Sequence, residues 1–160
     1  MLTVLCKSML DGMIYMGRGL LIINAEMIIQ GNISFGDLRI KNGLIHTVAI
    51  GGGLFINDDE DLIDAEGLYL LPGVIDPQVH FREPGQPERE NIATGSRAAA
   101  SGGVTSFLDM PNNNPSAVSL KSINDKINSA SNSAIANYGF FIGATPNNLT
   151  ELQKAVGTFE

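Results

Sequence analysis

The segment LPGVIDPQVHFREPG, residues 71–85, gathers the side chains of this chain that are best suited to act together chemically. Asp76, Gln78, His80 and Arg82 follow one another at steps of two. Residues two apart on a β-strand point to the same face, so this spacing predicts one polar face on an extended strand. The turn sequence E-P-G that follows is expected to end the strand. The polar groups are therefore predicted to gather at a strand end.

A second polar segment, which contains Asn112, follows the predicted buried strand VTSFLDM, residues 104–110. Together with Arg82 of the first segment, it offers donors for a negatively charged group. The guanidinium of Arg82 is a planar fork of donors that suits a carboxylate, and the amide of Asn112 offers one more donor. Two plainer interpretations stay open. Arg82 could instead form a surface ion pair with Glu83 or Glu88. Asn112 could instead be a turn residue next to a proline.

The first segment resembles the first barrel strand of the dihydroorotases, zinc-dependent cyclic amidohydrolases with a D-x-H-x-H-x-R pattern followed by E-P-G. Asp76, His80, Arg82 and the E-P-G turn match this pattern. Gln78 replaces the first metal-ligand histidine, as in relatives of the cyanobacterial type. The resemblance implies that His80 binds zinc, with one or two ions per site. An amide is a poorer zinc ligand than an imidazole, so Gln78 stays open between a weak metal contact and no binding role.

The segment Met110-Pro111-Asn112 resembles the M-P-N sequence after the second barrel strand of dihydroorotases. In that family the asparagine contacts the substrate carboxylate together with the arginine of the first strand. The resemblance therefore implies that Arg82 and Asn112 bind dihydroorotate or N-carbamoyl-aspartate. Related allantoinases and dihydropyrimidinases share the D-x-H-x-H core but are not expected to carry this arginine. The segment NYGFFIGATPNNL, residues 137–149, is also similar to dihydroorotases of the cyanobacterial type.

The elements that must position these residues alternate between helix and strand. After the first strand, helices are predicted at residues 88–101, 120–131 and 149–156, and strands at 104–110 and 137–142. Such alternation is typical of a parallel sheet. A doubly wound sheet is disfavoured because no glycine-rich phosphate loop follows the first strand. The sequence predicts an α/β fold, the N-terminal part of a (β/α)8 TIM-type barrel that is incomplete, with about three βα units.

Three segments are predicted along the chain. Residues 1–16 are a disordered extension that contains the single cysteine, Cys6; residues 17–71 are a small β-sandwich segment; residues 72–160 are the incomplete barrel. Short strands are expected at residues 20–24, 27–30, 35–41, 44–50, 62–64 and 68–71, with a K-N-G turn before the fourth. His46 is expected to have a surface or hydrogen-bonded structural role and not to be a metal ligand. The acidic run at residues 58–61 is expected to be a solvated loop, since it lacks the glycine turn of a calcium site.

Composition excludes several classes of function. The net charge of −7 and the scattering of ten basic residues argue against nucleic acid as a partner. One cysteine allows neither an internal disulfide nor a cysteine-based metal site. The apolar start of the chain lacks a basic signal region and is too short for a membrane span. We expect a cytoplasmic protein that acts on a small molecule, with no membrane partner.

The resemblance implies reversible hydrolysis of dihydroorotate to N-carbamoyl-aspartate in pyrimidine biosynthesis. In that family the residue that bridges the metals, two further histidines and the general base come from later strands. We therefore expect no catalytic residue within this chain, which would be an N-terminal fragment, inactive alone and prone to self-association unless a complementing chain is present. One alternative is a non-catalytic scaffold that binds a partner enzyme of the pathway, which Gln78 favours. Another is a small-molecule binding module built on Arg82 and Asn112.

Overall fold

The computed structural model describes residues 18–156, which form two compact units with their boundary in the chain between Gly73 and Val74. The expected boundary after residue 71 lies close to this position. The expected extension at residues 1–16, including Cys6, lies outside the described residues. None of the helices within residues 18–156 is long and apolar enough to cross a membrane.

The first unit is a mixed β-sheet. Its strands among the described residues are β1 (Gly19–Ile29), β2 (Asn32–Lys41), β3 (Leu44–Ile50), β4 (Glu60–Asp64) and β5 (Tyr69–Leu70). The order in the sheet is β3-β2-β1-β4, and β5 also pairs with β1. The pairs β1–β2 and β2–β3 are antiparallel, whereas β4 and β5 lie parallel to β1. Of the expected sandwich, residues 18–73 therefore form one sheet.

Local turn chemistry explains the hairpins of this sheet. Asn42 and Gly43 have φ values of 53° and 72°, which suit the two-residue turn predicted from K-N-G. The two separate strands expected at residues 20–30 are instead one strand, β1. Its irregularity is absorbed by Asn24, which has a φ of 61° where the pairing with β2 shifts register. The backbone amide of Asn24 donates to Asp37 Oδ1 at 3.0 Å, so a buried carboxylate supports this position.

Buried apolar side chains of several segments form the core of the first unit. The cluster consists of Ile22, Ala25, Met27, Leu38 and Ala65. These residues come from β1, β2 and the segment after β4. As expected, His46 is exposed and hydrogen bonds locally, with its Nδ1 2.8 Å from Thr47 Oγ1.

The expectation of a solvated acidic loop is wrong for Glu60. This residue begins β4, and its side chain is fully buried. Its carboxylate pairs with Arg39 Nε at 2.7 Å and accepts a hydrogen bond from the amide of Asn57 at 3.0 Å. Burial raises the pKa of Glu60, but these hydrogen bonds and the charge of Arg39 outweigh it, so the pKa lies below its ordinary value. A buried carboxylate thus needs its partners in place.

The second unit contains three parallel strands and three helices among the described residues. They are β6 (Val74–Val79), α1 (Ile92–Ser101), β7 (Val104–Asp109), α2 (Leu120–Ser133), β8 (Asn137–Phe140) and α3 (Leu149–Ala155). The sheet order β6-β7-β8 follows the chain, as in successive strands of a (β/α)8 barrel. The predicted α/β fold with three βα units is confirmed.

Capping residues fix where the first two helices of this unit begin. The predicted cap Ser119 forms a capping box with Ser122 at the start of α2. Helix α1 begins at Ile92, later than expected, because Asn91 and Thr94 form a capping box there. The side chain of Asn91 accepts a hydrogen bond from the Thr94 amide at 2.8 Å and so satisfies one of the unpaired N–H donors of the first turn.

Aromatic rings hold the sheet against the helices of the second unit. The core consists of Phe81, Ile92, Phe107, Ala130 and Ala136. The ring centroids of Phe81 and Phe107 are 4.8 Å apart. Gly95 of α1 lies against the ring of Phe81, where a Cβ atom would collide with it. The missing side chain therefore allows α1 to approach the segment that follows β6.

Candidate functional site

The predicted polar face does not continue along a regular strand. Strand β6 ends at Val79, so His80 and Arg82 lie beyond it rather than on its face. Pro77 has no amide hydrogen, and the amide of Gln78 donates to the Asp76 side chain at 3.0 Å instead of joining the sheet. Pairing with β7 shifts register over the same residues. The predicted strand face, with a polar residue at every second position, therefore ends before His80 and Arg82.

His80 and Asn112 nevertheless come together. His80 Nδ1 lies 2.9 Å from Asn112 Oδ1, although the two residues are 32 positions apart. Both side chains are exposed. Since an amide oxygen only accepts, the imidazole donates its Nδ1–H to Asn112, and in the neutral form of the ring Nε2 keeps its lone pair. The two N–H groups of the Asn112 side-chain amide donate no hydrogen bond within residues 18–156.

The guanidinium of Arg82 is exposed and makes no hydrogen bond or ion pair with any residue the structure describes. Its backbone, in contrast, is fixed. The amide donates to Glu90 O at 3.2 Å, and the carbonyl accepts from the amide of Gln86 at 2.7 Å. The alternative of a surface ion pair with Glu83 or Glu88 is wrong among these residues, because Arg82 contacts neither carboxylate.

Glu83 has a structural role instead. Its Oε2 accepts from the backbone amide of Ile92 at 2.9 Å, at the start of α1. Its Oε1 accepts a short hydrogen bond from Ser129 Oγ on α2. A carboxylate at a helix N-terminus accepts a hydrogen bond from an otherwise unpaired amide, and its negative charge interacts favourably with the helix dipole. Glu83 therefore ties the segment that carries Arg82 to two helices.

A buried ion pair lies beneath this surface. Lys126 Nζ of α2 is 2.6 Å from Asp109 Oδ2 at the end of β7, and the side chains are 2% and 0% exposed. Burial raises the pKa of Asp109 and lowers that of Lys126, while their mutual contact opposes both shifts. Asp109 Oδ1 also accepts from the amide of Phe81 at 3.0 Å. The pair thus connects β7 and α2 to the residue beside His80.

Asn113 completes this network. Its Nδ2 donates to Phe81 O at 3.0 Å and Glu83 O at 3.1 Å, and its Oδ1 accepts from Lys126 Nζ at 2.7 Å. The roles of Lys126 and Asn113 were not predicted from the sequence. One signal was present for the lysine: it lies three residues after Ile123 and four before Ala130, on the buried face of α2. A charged residue on an apolar helix face is expected to need a buried partner.

The described residues do not assemble a complete metal site. Within residues 18–156, no group of three or more His, Cys, Asp or Glu side chains could hold a metal ion. His80 offers Nε2, and Gln78 offers an exposed amide oxygen nearby in the chain. A catalytic zinc normally has three protein ligands, so this pair does not hold the ion by itself.

Comparisons with known proteins give the second unit a family. The chain matches the Amidohydrolase family over residues 69–158. An allantoinase of Desulfitobacterium hafniense is 34% identical over 138 residues, which cover 84% of this chain and 30% of that protein. A dihydroorotase of Methanosarcina acetivorans is 36% identical over 124 residues, which cover 78% of this chain and 26% of that protein.

Solved structures agree with this assignment. The L-hydantoinase (dihydropyrimidinase) of Arthrobacter aurescens matches with a TM-score of 0.79 and 25% identity, covering 86% of this chain and 30% of that one. A crystal structure of a D-hydantoinase matches with a TM-score of 0.71 and 29% identity. The chain thus spans about 30% of the length of the relatives it matches first. The family match covers more than half of the chain, and the chain therefore belongs to the amidohydrolase family, with cyclic amidohydrolases among its relatives.

Proposed function

We propose that this chain contributes the first βα units of a dihydroorotase-type cyclic amidohydrolase, which interconverts dihydroorotate and N-carbamoyl-aspartate. One observation supports the choice of a substrate that bears a carboxylate. Asn112, which is hydrogen bonded to His80, and Arg82, two positions after His80 in the chain, have exposed donor groups without a partner within residues 18–156. An unpaired guanidinium and an unpaired amide N–H are complementary to a carboxylate.

The arginine carries most of this discrimination. A guanidinium can bind both oxygens of a carboxylate with two parallel hydrogen bonds, and its charge balances the carboxylate charge. Asn112 can add a donor while its oxygen keeps His80 in place. Because the neutral imidazole that donates through Nδ1 offers Nε2 as a ligand atom, His80 would be one ligand of the metal on which members of the superfamily generally depend. We propose zinc as this metal, with its other ligands and the general base supplied by later parts of the barrel.

An allantoinase-type or hydantoinase-type substrate is the second candidate. It is favoured by the names of the relatives, since several allantoinases are 34–37% identical to this chain. Their ring substrates carry no carboxylate, so the role proposed for Arg82 would not be needed. A non-catalytic scaffold, favoured by Gln78 in a ligand position, is a third candidate that predicts neither ligand binding nor metal binding.

The experiment that tests the proposal compares ligands on the purified chain by NMR titration. We expect N-carbamoyl-aspartate to bind the wild type and to bind Arg82→Met at least roughly tenfold more weakly, because a charged hydrogen-bonded pair is lost. Arg97→Met is the matched control, since Arg97 is an exposed arginine of α1 that lies 15 positions after Arg82 in the chain. Binding of allantoin or hydantoin that does not change in Arg82→Met, with no binding of N-carbamoyl-aspartate, would contradict the proposal.

A further inference from the structure

Asn113 uses each polar group of its side-chain amide inside the second unit. Its Nδ2 donates to the backbone oxygens of Phe81 and Glu83, the residues on either side of Arg82. Its Oδ1 accepts from Lys126 Nζ. The amide orientation is chemically defined, because two carbonyls require the NH2 group and the ammonium requires the oxygen. One side chain therefore bridges the segment around Arg82 to helix α2.

The bridge is supported from below by the buried lysine. Lys126 Nζ contacts Asp109 Oδ2 at 2.6 Å and donates to Met110 O at 3.3 Å as well as to Asn113. Asp109 in turn accepts a hydrogen bond from the backbone amide of Phe81. Both polar backbone atoms of Phe81 are thus bound by this network, one by Asp109 and the other by Asn113. Hydrogen bonds to buried charged groups are among the stronger ones in proteins.

The hydrogen-bond network fixes the backbone of the segments that carry the unpaired donors of Arg82 and Asn112. The segment around Arg82 is held by Asn113 on both sides, while its guanidinium faces solvent without a partner among the described residues. Asn112 precedes Asn113 in the chain, so the same anchor point limits where its amide can lie beside His80. Fixing the backbone before a ligand arrives lowers the entropy lost on binding.

We propose that Asn113, held by Lys126, is a positioning residue for carboxylate binding. It fixes the backbone on both sides of Arg82 and sets the position of Asn112 against His80. The ligand in this inference rests on the proposed function, whereas the hydrogen-bond network does not depend on it.

The test compares Asn113→Asp with Asn114→Asp. Aspartate has the shape of asparagine but only accepts when ionised, so at position 113 it would face two carbonyl oxygens without a donor. Asn114 is an exposed neighbour whose side chain makes no hydrogen bond within residues 18–156, so its variant carries the same charge change without that conflict. We expect N113D to weaken binding of N-carbamoyl-aspartate by roughly tenfold or more and N114D to leave it near the wild type.

A readout without ligand comes from the imidazole nitrogens of His80 in long-range ¹H–¹⁵N spectra. The chain has two histidines, and a His46→Gln background leaves the signals of His80. We expect N113D to move these shifts away from those of an Nδ1–H imidazole, and N114D to leave them unchanged. A folded N113D variant with wild-type shifts overturns the proposal, and so does one that binds as the wild type does.

These readouts separate the two ideas. If the wild type fails to bind N-carbamoyl-aspartate, the proposed function is contradicted, while the shift of His80 in N113D still decides whether Asn113 positions its neighbours. If N113D does not fold, hydrogen exchange of side-chain amides in the wild type decides. The Asn113 Nδ2 protons are expected to exchange roughly tenfold or more slowly than those of Asn114, because each bonds a carbonyl. Equal exchange overturns the proposal.

Discussion

Lys126 Nζ lies 2.6 Å from Asp109 Oδ2 in the interior of the second unit, where one side chain is 2% exposed and the other is fully buried. The contact joins the end of β7 to α2 across 17 positions of the chain. Above it lie Phe81 and Asn113, each of which is hydrogen bonded to one member of the pair. The buried ion pair thus holds, through Phe81 and Asn113, the segments that carry the exposed donors of the candidate site.

Removing the lysine is expected to destabilise the fold strongly. In Lys126→Met, Asp109 would remain buried without its counter-charge, which typically costs about 3–5 kcal/mol. Urea denaturation measures this loss, with Lys121→Met as control, because Lys121 is an 85% exposed lysine of the same helix. We expect the control to change the free energy of unfolding by less than about 0.5 kcal/mol. Equal effects of the two variants would show that the buried pair is not important for stability.

The cost of Lys126→Met is also expected to depend on pH. Burial already raises the pKa of Asp109 above its ordinary value of 3.8, and loss of Lys126 would raise it further. A carboxyl whose pKa is higher in the folded state lowers stability as pH rises from the unfolded pKa towards the folded one. The difference between variant and wild type should therefore shrink as pH falls towards 3.8. Urea denaturation across this range would contradict the prediction if the difference grew.

Glu60 is expected to stabilise the first unit at neutral pH and to lose this effect in acid. Its folded pKa lies below the ordinary value of 4.5, so its contribution is present above 4.5 and is lost as pH falls through the folded pKa. Glu60→Gln should therefore destabilise at pH 7, and the difference from the wild type should diminish in acid. Glu66→Gln, at an exposed position, serves as control in the same urea denaturation series. A difference that is independent of pH would refute the role of the charge.

Gly95 is expected to tolerate no side chain. In Gly95→Ala the new Cβ would meet the ring of Phe81, and relief of such overpacking typically costs about 1–3 kcal/mol. Gly102→Ala is the control, because a Cβ there meets its neighbours at ordinary contact distances of 3.5 Å or more. The two free energies of unfolding are compared by urea denaturation. A neutral effect of Gly95→Ala would mean that α1 can move away from Phe81 at no cost.

Asn112→Ala is expected to release His80. Without the amide oxygen, the imidazole loses its Nδ1 partner, and the ¹⁵N spectrum should show a mixture of the two tautomers. Binding of N-carbamoyl-aspartate should weaken by roughly tenfold, because one donor is also lost. Asn114→Ala provides a matched change in the same loop. A wild-type tautomer in Asn112→Ala would indicate that His80 is oriented by another group.

The sequence predicted those features that depend on near neighbours in the chain. The Asn42-Gly43 turn follows from the left-handed backbone that these residues adopt readily, and the Ser119 cap follows from a hydroxyl three residues before an unpaired amide. The alternation of strands and helices follows from the periodicity of apolar residues, which also predicted the α/β fold. In each case the physical cause acts over a few residues.

The tertiary structure decided what depends on distant partners. The polar steps after Asp76 predicted a single face, but β6 ends at Val79, and His80 meets Asn112 through loops instead. Glu60 lies in an acidic run that predicts a solvated loop, yet its side chain is buried and pairs with Arg39. Burial of a charge becomes favourable only when a counter-charge and hydrogen bonds are supplied by segments brought together by the fold. Spacing along the chain therefore determined which groups are available, and packing determined which of them are paired and which remain free to bind a ligand.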